Sequence, residues 1–370
     1  MDFTNLGSHP GTGTGTGTGT GAGAGTNTGT GTGAGTADDA IARAAAEALD
    51  TQALDLPAAT GPIVVRRRVV GRTDLRVFPV AISGNVFGWT ADTGVTESVL
   101  DAYWELGGNF VDTADSYAAG RSETMIGNWM RDRRNRGDMV VATKVGKSAD
   151  SPGLGRRALT QAVDASLDRL QIDRIDLLYL HVDDEDVPFE ETLLAVDSLI
   201  AAGKVRHFGA SDHSGNRLIE ARVIAAQMGT TPISAVQNHY NLMHRDEYEG
   251  TLAQVAAQQQ LAFMPRFALA SGFLTGKYRT KADLRAGRRG GESAGYFTKR
   301  GFRVLTVLEQ VASEQRVSQA TVALGWLLAK RHVVAPVVSA SRPEQVLDLV
   351  AAASLQLTRH QVARLDRASE

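Results

Sequence analysis

The stretch FVDTADSYAAGRSE, Phe110 to Glu123, ends a short apolar run in an acid, sets a tyrosine five residues later, and then makes a Gly-Arg-Ser-Glu turn. The run reads as a strand and the tyrosine as part of the loop that follows it. Working outward, short β-branched runs of this kind recur along the chain: Val80–Ser83, Asn109–Asp112, Met139–Lys144, Ile175–His181, Val205–Ser211, Ile233–Asn238, Leu261–Pro265 and Val333–Val338. Amphipathic segments of helical length fill most intervals, among them ESVLDAYWELG, RALTQAVDASLDRLQ, ETLLAVDSLIAAGK and GNRLIEARVIAAQMG. Eight strands alternating with helices predict an α/β fold, a (β/α)8 barrel. An open dinucleotide-binding sheet fits less well, because no G-x-G-x-x-G follows a first strand. Before the first run, IVVRRRVV and LRVFPVAIS flank GRTD, which predicts an N-terminal β-hairpin.

The barrel is expected over residues 63–370. Residues 1–62 are of another character: from Gly11 to Gly35 the chain is almost pure Gly-Thr and Gly-Ala, with nothing to bury against the entropy of ordering glycine. A disordered low-complexity leader is expected there, with a possible short helix in DDAIARAAAEALDTQAL before Pro62. The 370 residues carry a net charge of -2, which argues against nucleic acid as the main partner. Apolar runs fall far short of the roughly 20 residues a bilayer span needs, so no membrane partner is expected. MDFTNLGSHP has neither a basic nor an apolar region of a secretory signal, and a cytoplasmic location is expected. The absence of cysteine removes disulfides and thiolate chemistry. The oligomeric state is not legible.

In a barrel of this type chemistry gathers at the C-terminal ends of the strands. Four ionisable residues meet that condition: Asp112 ends the second run, Tyr117 lies in the loop after it, Lys144 ends the third and His181 the fourth. Each alone has an ordinary explanation as a loop cap, a rim residue, a solvated strand end or a satisfied histidine. Three consecutive strand ends carrying them together favour a shared pocket. A free tyrosine has a pKa of about 10, and a nearby ammonium lowers it, while a carboxylate keeps that ammonium charged and aimed. A histidine beside them donates a hydrogen bond to a carbonyl. The set has no nucleophile and no metal cage, so a hydride or electron source must come from a cofactor.

The blocks FVDTADSY, GRSETMIGNWM, VVATKVG, IDLLYLH, GKVRHFGASDHS, AVQNHYNL, GFLTGKY and SASRPEQ, in this order from about Val69 onward, resemble the signature blocks of the aldo-keto reductase superfamily. The resemblance implies an oxidoreductase that reduces aldehyde or ketone carbonyls with NADPH, NADH being possible, and without metal. By position, Tyr117 would be the general acid, Lys144 and Asp112 its tuning pair, and His181 the carbonyl-orienting donor. Ser211, Asp212 and Gln237 would hold the nicotinamide carboxamide, with Arg266 against the ring. Leu269, Ser271, Gly272 and Lys277 would lie along the pyrophosphate and ribose, and Ser339, Ser341, Arg342 and Gln345 at the adenosine end. Val86, Phe87 and Trp89 would line the mouth for a small-molecule carbonyl substrate.

Three positions depart from the family pattern. Asp212 stands where Asn is usual, so it accepts from a carboxamide NH2 but cannot donate to its oxygen. Arg266 stands where an aromatic usually stacks, and only Arg342 is cationic in the block expected to meet a 2′-phosphate. HVDDEDVPFEE reads as a solvated loop and helix start, residues 281–300 as a mobile surface loop near the cofactor, and the histidines of QNHYNLMH as structural or pocket-lining. Two other functions stay open: a dedicated ketoreductase for a sugar or secondary metabolite, and a nucleotide-binding, redox-sensing regulatory subunit with slow turnover, like the channel-associated members of the superfamily.

Overall fold

Runs rich in Val, Ile and Leu pair with one another because a strand buried on both faces has no polar side to offer water. The structure, a computed structural model, describes residues 65–287 and 289–370. The expected leader and its helix lie outside the described residues, as do positions 63 and 64 of the expected hairpin. Strands β1 (Arg68–Val69) and β2 (Arg76–Val77) form that hairpin, antiparallel, with Arg68 opposite Val77. Eight parallel strands follow: β3 (Ala81–Ser83), β4 (Phe110–Asp112), β5 (Val140–Val145), β6 (Ile175–Leu180), β7 (Val205–Ser211), β8 (Ala235–Gln237), β9 (Ala262–Phe263) and β10 (Val337–Val338). Each pairs with the next in sequence from β3 to β9, and β10 returns to pair with β3.

A bridge between Phe263 and Val333, and hydrogen bonds from Val334 N to Phe263 O (2.8 Å) and from Val337 N to Pro265 O (2.8 Å), join the two ends of the sheet. All eight expected runs are therefore strands of one barrel. The last two are shorter than expected because Pro265 and Pro336 have no N–H to give a ladder.

Helices cover the outside: α1 (Thr93–Glu105), α2 (Arg121–Arg133), α3 (Arg156–Leu170), α4 (Phe189–Ala201), α5 (Gly215–Met228) and α6 (Thr251–Gln259) fall between consecutive strands. Side-chain caps start several of them, Asp92 accepting from Val95 N and Ser214 from Arg217 N.

The barrel interior is apolar at its lower end, where Ala81, Phe110, Ala142, Leu177, Ala235 and Ala262 pack with Val70, Leu75 and Val77 of the hairpin. The hairpin thus closes the floor. A Cβ on Gly71, whose φ is +52°, would lie 2.4 Å from Ser234 O, so the turn can press this close only as glycine. Higher in the barrel, a Cβ on Gly209 would lie 2.6 Å from Ala235 O and 2.7 Å from the Tyr179 ring, which occupies that space.

Candidate active site

Side chains on a strand alternate, so the residue two positions after a floor residue points inward one layer higher. On β4 the step leads from Phe110 to Asp112, and on β5 from Ala142 to Lys144. The Lys144 ammonium donates to Asp112 Oδ1 at 2.5 Å and to Thr113 O at 2.8 Å, with both side chains out of solvent. Gln237 Nε2 donates to the other carboxylate oxygen at 2.9 Å. The buried charges are therefore paired, and the remaining lone pairs are partly used.

Tyr117 sits above this layer, half-buried, with the Lys144 ammonium 5.1 Å from its ring centre. The loop that carries it turns through three consecutive left-handed residues, Ala118 (φ 51°), Ala119 (φ 55°) and Gly120 (φ 83°). Its far end is anchored by the rest of the Gly-Arg-Ser-Glu turn. Ser122 Oγ donates to Gly84 O at 2.8 Å and lies 2.8 Å from Thr113 Oγ1. The buried Glu123 carboxylate accepts from Thr143 Oγ1 (2.5 Å) and Arg169 Nε (2.7 Å). The turn after the tyrosine is thus what fixes the tyrosine.

His181 meets Tyr117 edge to face, ring centres 6.1 Å apart. Burial, then the positive charges of Lys144, Lys147 and Arg266, lower its pKa to about 2, so the imidazole is neutral and one nitrogen is a donor. For Lys144, burial favours the neutral amine, but Asp112 and Tyr117 outweigh it and hold the group above its ordinary pKa. Tyr117 differs from the sequence expectation. Burial raises its pKa more than the Lys144 ammonium lowers it, and Asp112 adds to the rise, so the phenol stays above its ordinary value. How far a side chain is desolvated is not readable from its neighbours in sequence.

Tyr117, Lys144 and His181 stand in the wall of a cavity of about 610 Å³, and Asp112 lies outside that lining, bonded to Lys144 and Gln237 of the wall. All the residues expected to hold a cofactor lie in that wall: Ser211, Asp212, Gln237, Arg266, Leu269, Ser271, Gly272, Lys277, Ser339, Ser341, Arg342 and Gln345. Ser211 Oγ and His181 Nδ1 are buried there with no hydrogen-bond partner among the described residues. Asp212, in the left-handed region at φ 61°, is gripped by Arg266 through Nη2 (2.7 Å) and Nε (2.9 Å), and Lys147 Nζ lies 3.3 Å from its other oxygen. At the opposite end of the wall, Ser271 Oγ donates to Glu292 (2.8 Å), Ser341 N donates to Gln345 Oε1 (2.9 Å) and Ser339 bonds Asn85. Burial, then Arg289 and Arg342, lower the pKa of Lys277, which marks three cations sharing one region.

The expected mouth is redrawn. Val86 lines the cavity, but the Phe87 side chain is fully buried in the core, where the short turn after β3 directs it. Trp89 lies outside the lining, 60% exposed, with the Arg289 guanidinium 5.9 Å from its ring. The segment expected as a loop after the seventh barrel strand contains helical turns at Lys281–Ala286 and Gly290–Ser293, and it delivers Arg289 to the cavity. Sequence reasoning missed Arg289 and Lys147; the second lies only three residues beyond Lys144, in the same strand-end loop. His239 and His244 stack at 3.8 Å and hydrogen-bond to Asn241 and Glu247, outside the cavity wall.

The chain is similar to several known proteins. An aryl-alcohol dehydrogenase of Pestalotiopsis microspora is 30% identical over 324 residues, covering 81% of each chain. An aldo-keto reductase of Aspergillus calidoustus is 32% identical over 352 residues, 85% of this chain and 86% of that protein. A probable voltage-gated potassium channel subunit beta of Oryza sativa subsp. japonica is 31% identical over 290 residues, 75% of this chain and 88% of that one. The model of the Aldo/keto reductase family matches residues 87–370, which span the barrel from the turn after β3 and include all four strand-end residues. By its fold, by that match and by these relatives, the chain belongs to the aldo/keto reductase family.

Proposed function

We propose that the chain is an NAD(P)H-dependent reductase of aldehyde or ketone carbonyls, working in the cytoplasm on a small-molecule substrate. One observation carries the reading: a protonated tyrosine beside a buried Lys144–Asp112 pair and a neutral His181, all at one end of a cavity long enough to continue to a cluster of three cations. A bound reduced nicotinamide supplies the hydride that the chain itself lacks, converting a carbonyl and one proton to an alcohol. His181 donates a hydrogen bond to the carbonyl oxygen and orients it. Tyr117 gives its proton to that oxygen as negative charge develops there. Lys144 stabilises the phenolate left behind, and Asp112 keeps the lysine charged.

The cofactor residues fit a dinucleotide. Ser211 Oγ, buried and without a hydrogen-bond partner among the described residues, offers a hydrogen bond at the nicotinamide end, with Asp212 accepting from a carboxamide and Gln237 beside it. Gly272, at φ +91°, has Lys277 within 3.0 Å of where its Cβ would stand, which suits a phosphate cradle. Lys277, Arg289 and Arg342 together favour a 2′-phosphate and hence NADPH over NADH, more strongly than Arg342 alone.

The test follows loss of reduced-nicotinamide absorbance with NADPH or NADH and a panel of aldehydes and diketones, for the wild type and Tyr117→Phe. The expected result is turnover that the Phe variant loses while it still binds NADPH. Equal loss of nucleotide binding in that variant would overturn the role of Tyr117. The likeness to a potassium channel subunit supports a second reading, a nucleotide-binding redox sensor. Tight NADPH binding with turnover on no carbonyl, together with a stable heteromeric partner, would favour it.

A further inference from the structure

Among the charged groups at the catalytic end of the cavity, Lys144 is neutralised by Asp112 at 2.5 Å. His181 and Tyr117 carry no charge at neutral pH. Three charges remain in the wall: Lys147, Asp212 and Arg266, joined as one cluster by contacts of 3.3 Å and 2.7 Å through Asp212. Two cations share a single carboxylate, so the cluster holds one uncompensated positive charge. Both cations act on His181, lowering its pKa, which puts their field on the group expected to face the carbonyl. The nearby acids do not cancel it. Asp183 is paired with Arg217 at 2.9 Å, and neither it nor Asp184, nor the exposed Asp150, Glu185 and Asp186, belongs to the cavity wall.

We propose that Lys147, the cation at the exposed edge of this cluster, is a subsite for a carboxylate carried by the carbonyl substrate and the specificity-determining residue, while Asp212 and Arg266, paired with each other, serve the nicotinamide end. The inference rests on the reductase reading above. A single net charge suits a carboxylate better than a phosphate dianion. Lys147 suits the role because its side chain is 41% exposed at the edge of the cavity, whereas Arg266 is committed to Asp212 by two nitrogens. The carboxylate is unchanged by the reaction; it positions the aldehyde or ketone beneath His181 and Tyr117.

The experiment compares 4-oxobutanoate and 4-carboxybenzaldehyde with their methyl esters, at low and high salt, in the wild type, Lys147→Met and Lys147→Arg. The acids are expected to exceed the esters in kcat/KM by about tenfold or more at low salt, through KM rather than kcat. That ratio should shrink as salt screens the charge, fall to near one in Lys147→Met and return in Lys147→Arg. Acids no better than esters in the wild type, or a preference that survives Lys147→Met, would overturn the proposal. A second measurement does not need turnover: protein fluorescence titrated with 4-carboxybenzyl alcohol and with its methyl ester. If no carbonyl is reduced but the acid alone binds, in the wild type and Lys147→Arg and not in Lys147→Met, the reductase reading fails and the anion subsite stands. Equal binding of acid and ester overturns the subsite.

Discussion

On β4, Phe110 packs in the apolar floor while Asp112, two residues on, lies in an ion pair; on β5 the same step leads from Ala142 to Lys144, and on β8 from Ala235 to Gln237. The two layers share strands, face and depth, yet they hold together by different physics. The floor gains from burial, which is non-directional and roughly proportional to area. The layer above gains from pairing, so what matters is that no charge is left without its partner. One layer asks for volume and the other for matched partners.

The largest expected effect falls where the upper layer meets solvent. Tyr117→Phe should lower kcat by about 10²–10⁴-fold, the range for loss of a positioned general acid. It should shift the denaturant midpoint little, because Lys144 keeps its bonds to Asp112 and Thr113 without the hydroxyl. A large drop in stability would mean that the ring's hydroxyl belongs to the scaffold. Next come two substitutions of similar cost and different remedy. Phe110→Ala should lose about 3–5 kcal/mol through an unfilled cavity. Lys144→Met should lose about as much by stranding Asp112, and adding Asp112→Asn should restore most of it. Equilibrium denaturation of the three variants tests the contrast, and an unrestored double variant would show the upper layer to be governed by packing too.

A smaller effect concerns Asp115, buried below the tyrosine loop. Burial first, and Glu123 second, raise its pKa to about 6. The folded protein therefore holds this proton more tightly than the unfolded chain does. The contribution is fully present below the ordinary carboxylate pKa of about 3.9 and is lost as pH rises through about 6. Asp115→Asn should accordingly gain about 1–3 kcal/mol on the wild type between pH 4 and pH 7, seen as diverging midpoints across that range. Parallel midpoints would place the carboxylate in contact with water. The smallest effect is expected at the surface, where Arg131 and Asp132 pair with side chains 57% and 47% exposed. Arg131→Ala should change stability by less than about 0.5 kcal/mol.

Much of this was legible in the sequence. Asp112, Lys144 and His181 announce themselves because each interrupts or ends an apolar run, where only a site or a solvated end tolerates charge. The eight runs likewise survive as strands. Other features were hidden for physical reasons. Asp212 and Arg266 were each visible as a departure from the family pattern, but that the two grip one another across 54 positions is a fact of the barrel closing. The family resemblance places Phe87 at the mouth with Val86 and Trp89, and only the turn after β3 decides that Val86 faces the cavity and Phe87 the core. Arg289 sat in a segment whose glycines and arginines read as a loop, with no periodicity to show where it leads.

Gly209 carries one more implication. The two atoms that would meet its Cβ differ in kind: the Tyr179 ring could be trimmed by mutation, whereas the Ala235 carbonyl oxygen belongs to the next strand and cannot. No second-site change therefore opens the position. Gly120 is left-handed where Gly209 is not, but its nearest neighbour is the flexible Arg169 side chain, 2.7 Å away. A saturation library of this chain should find 209 depleted of every alternative and 120 admitting a few, with asparagine first among them. Evolution can revise the loop that presents the tyrosine more readily than the barrel wall behind it.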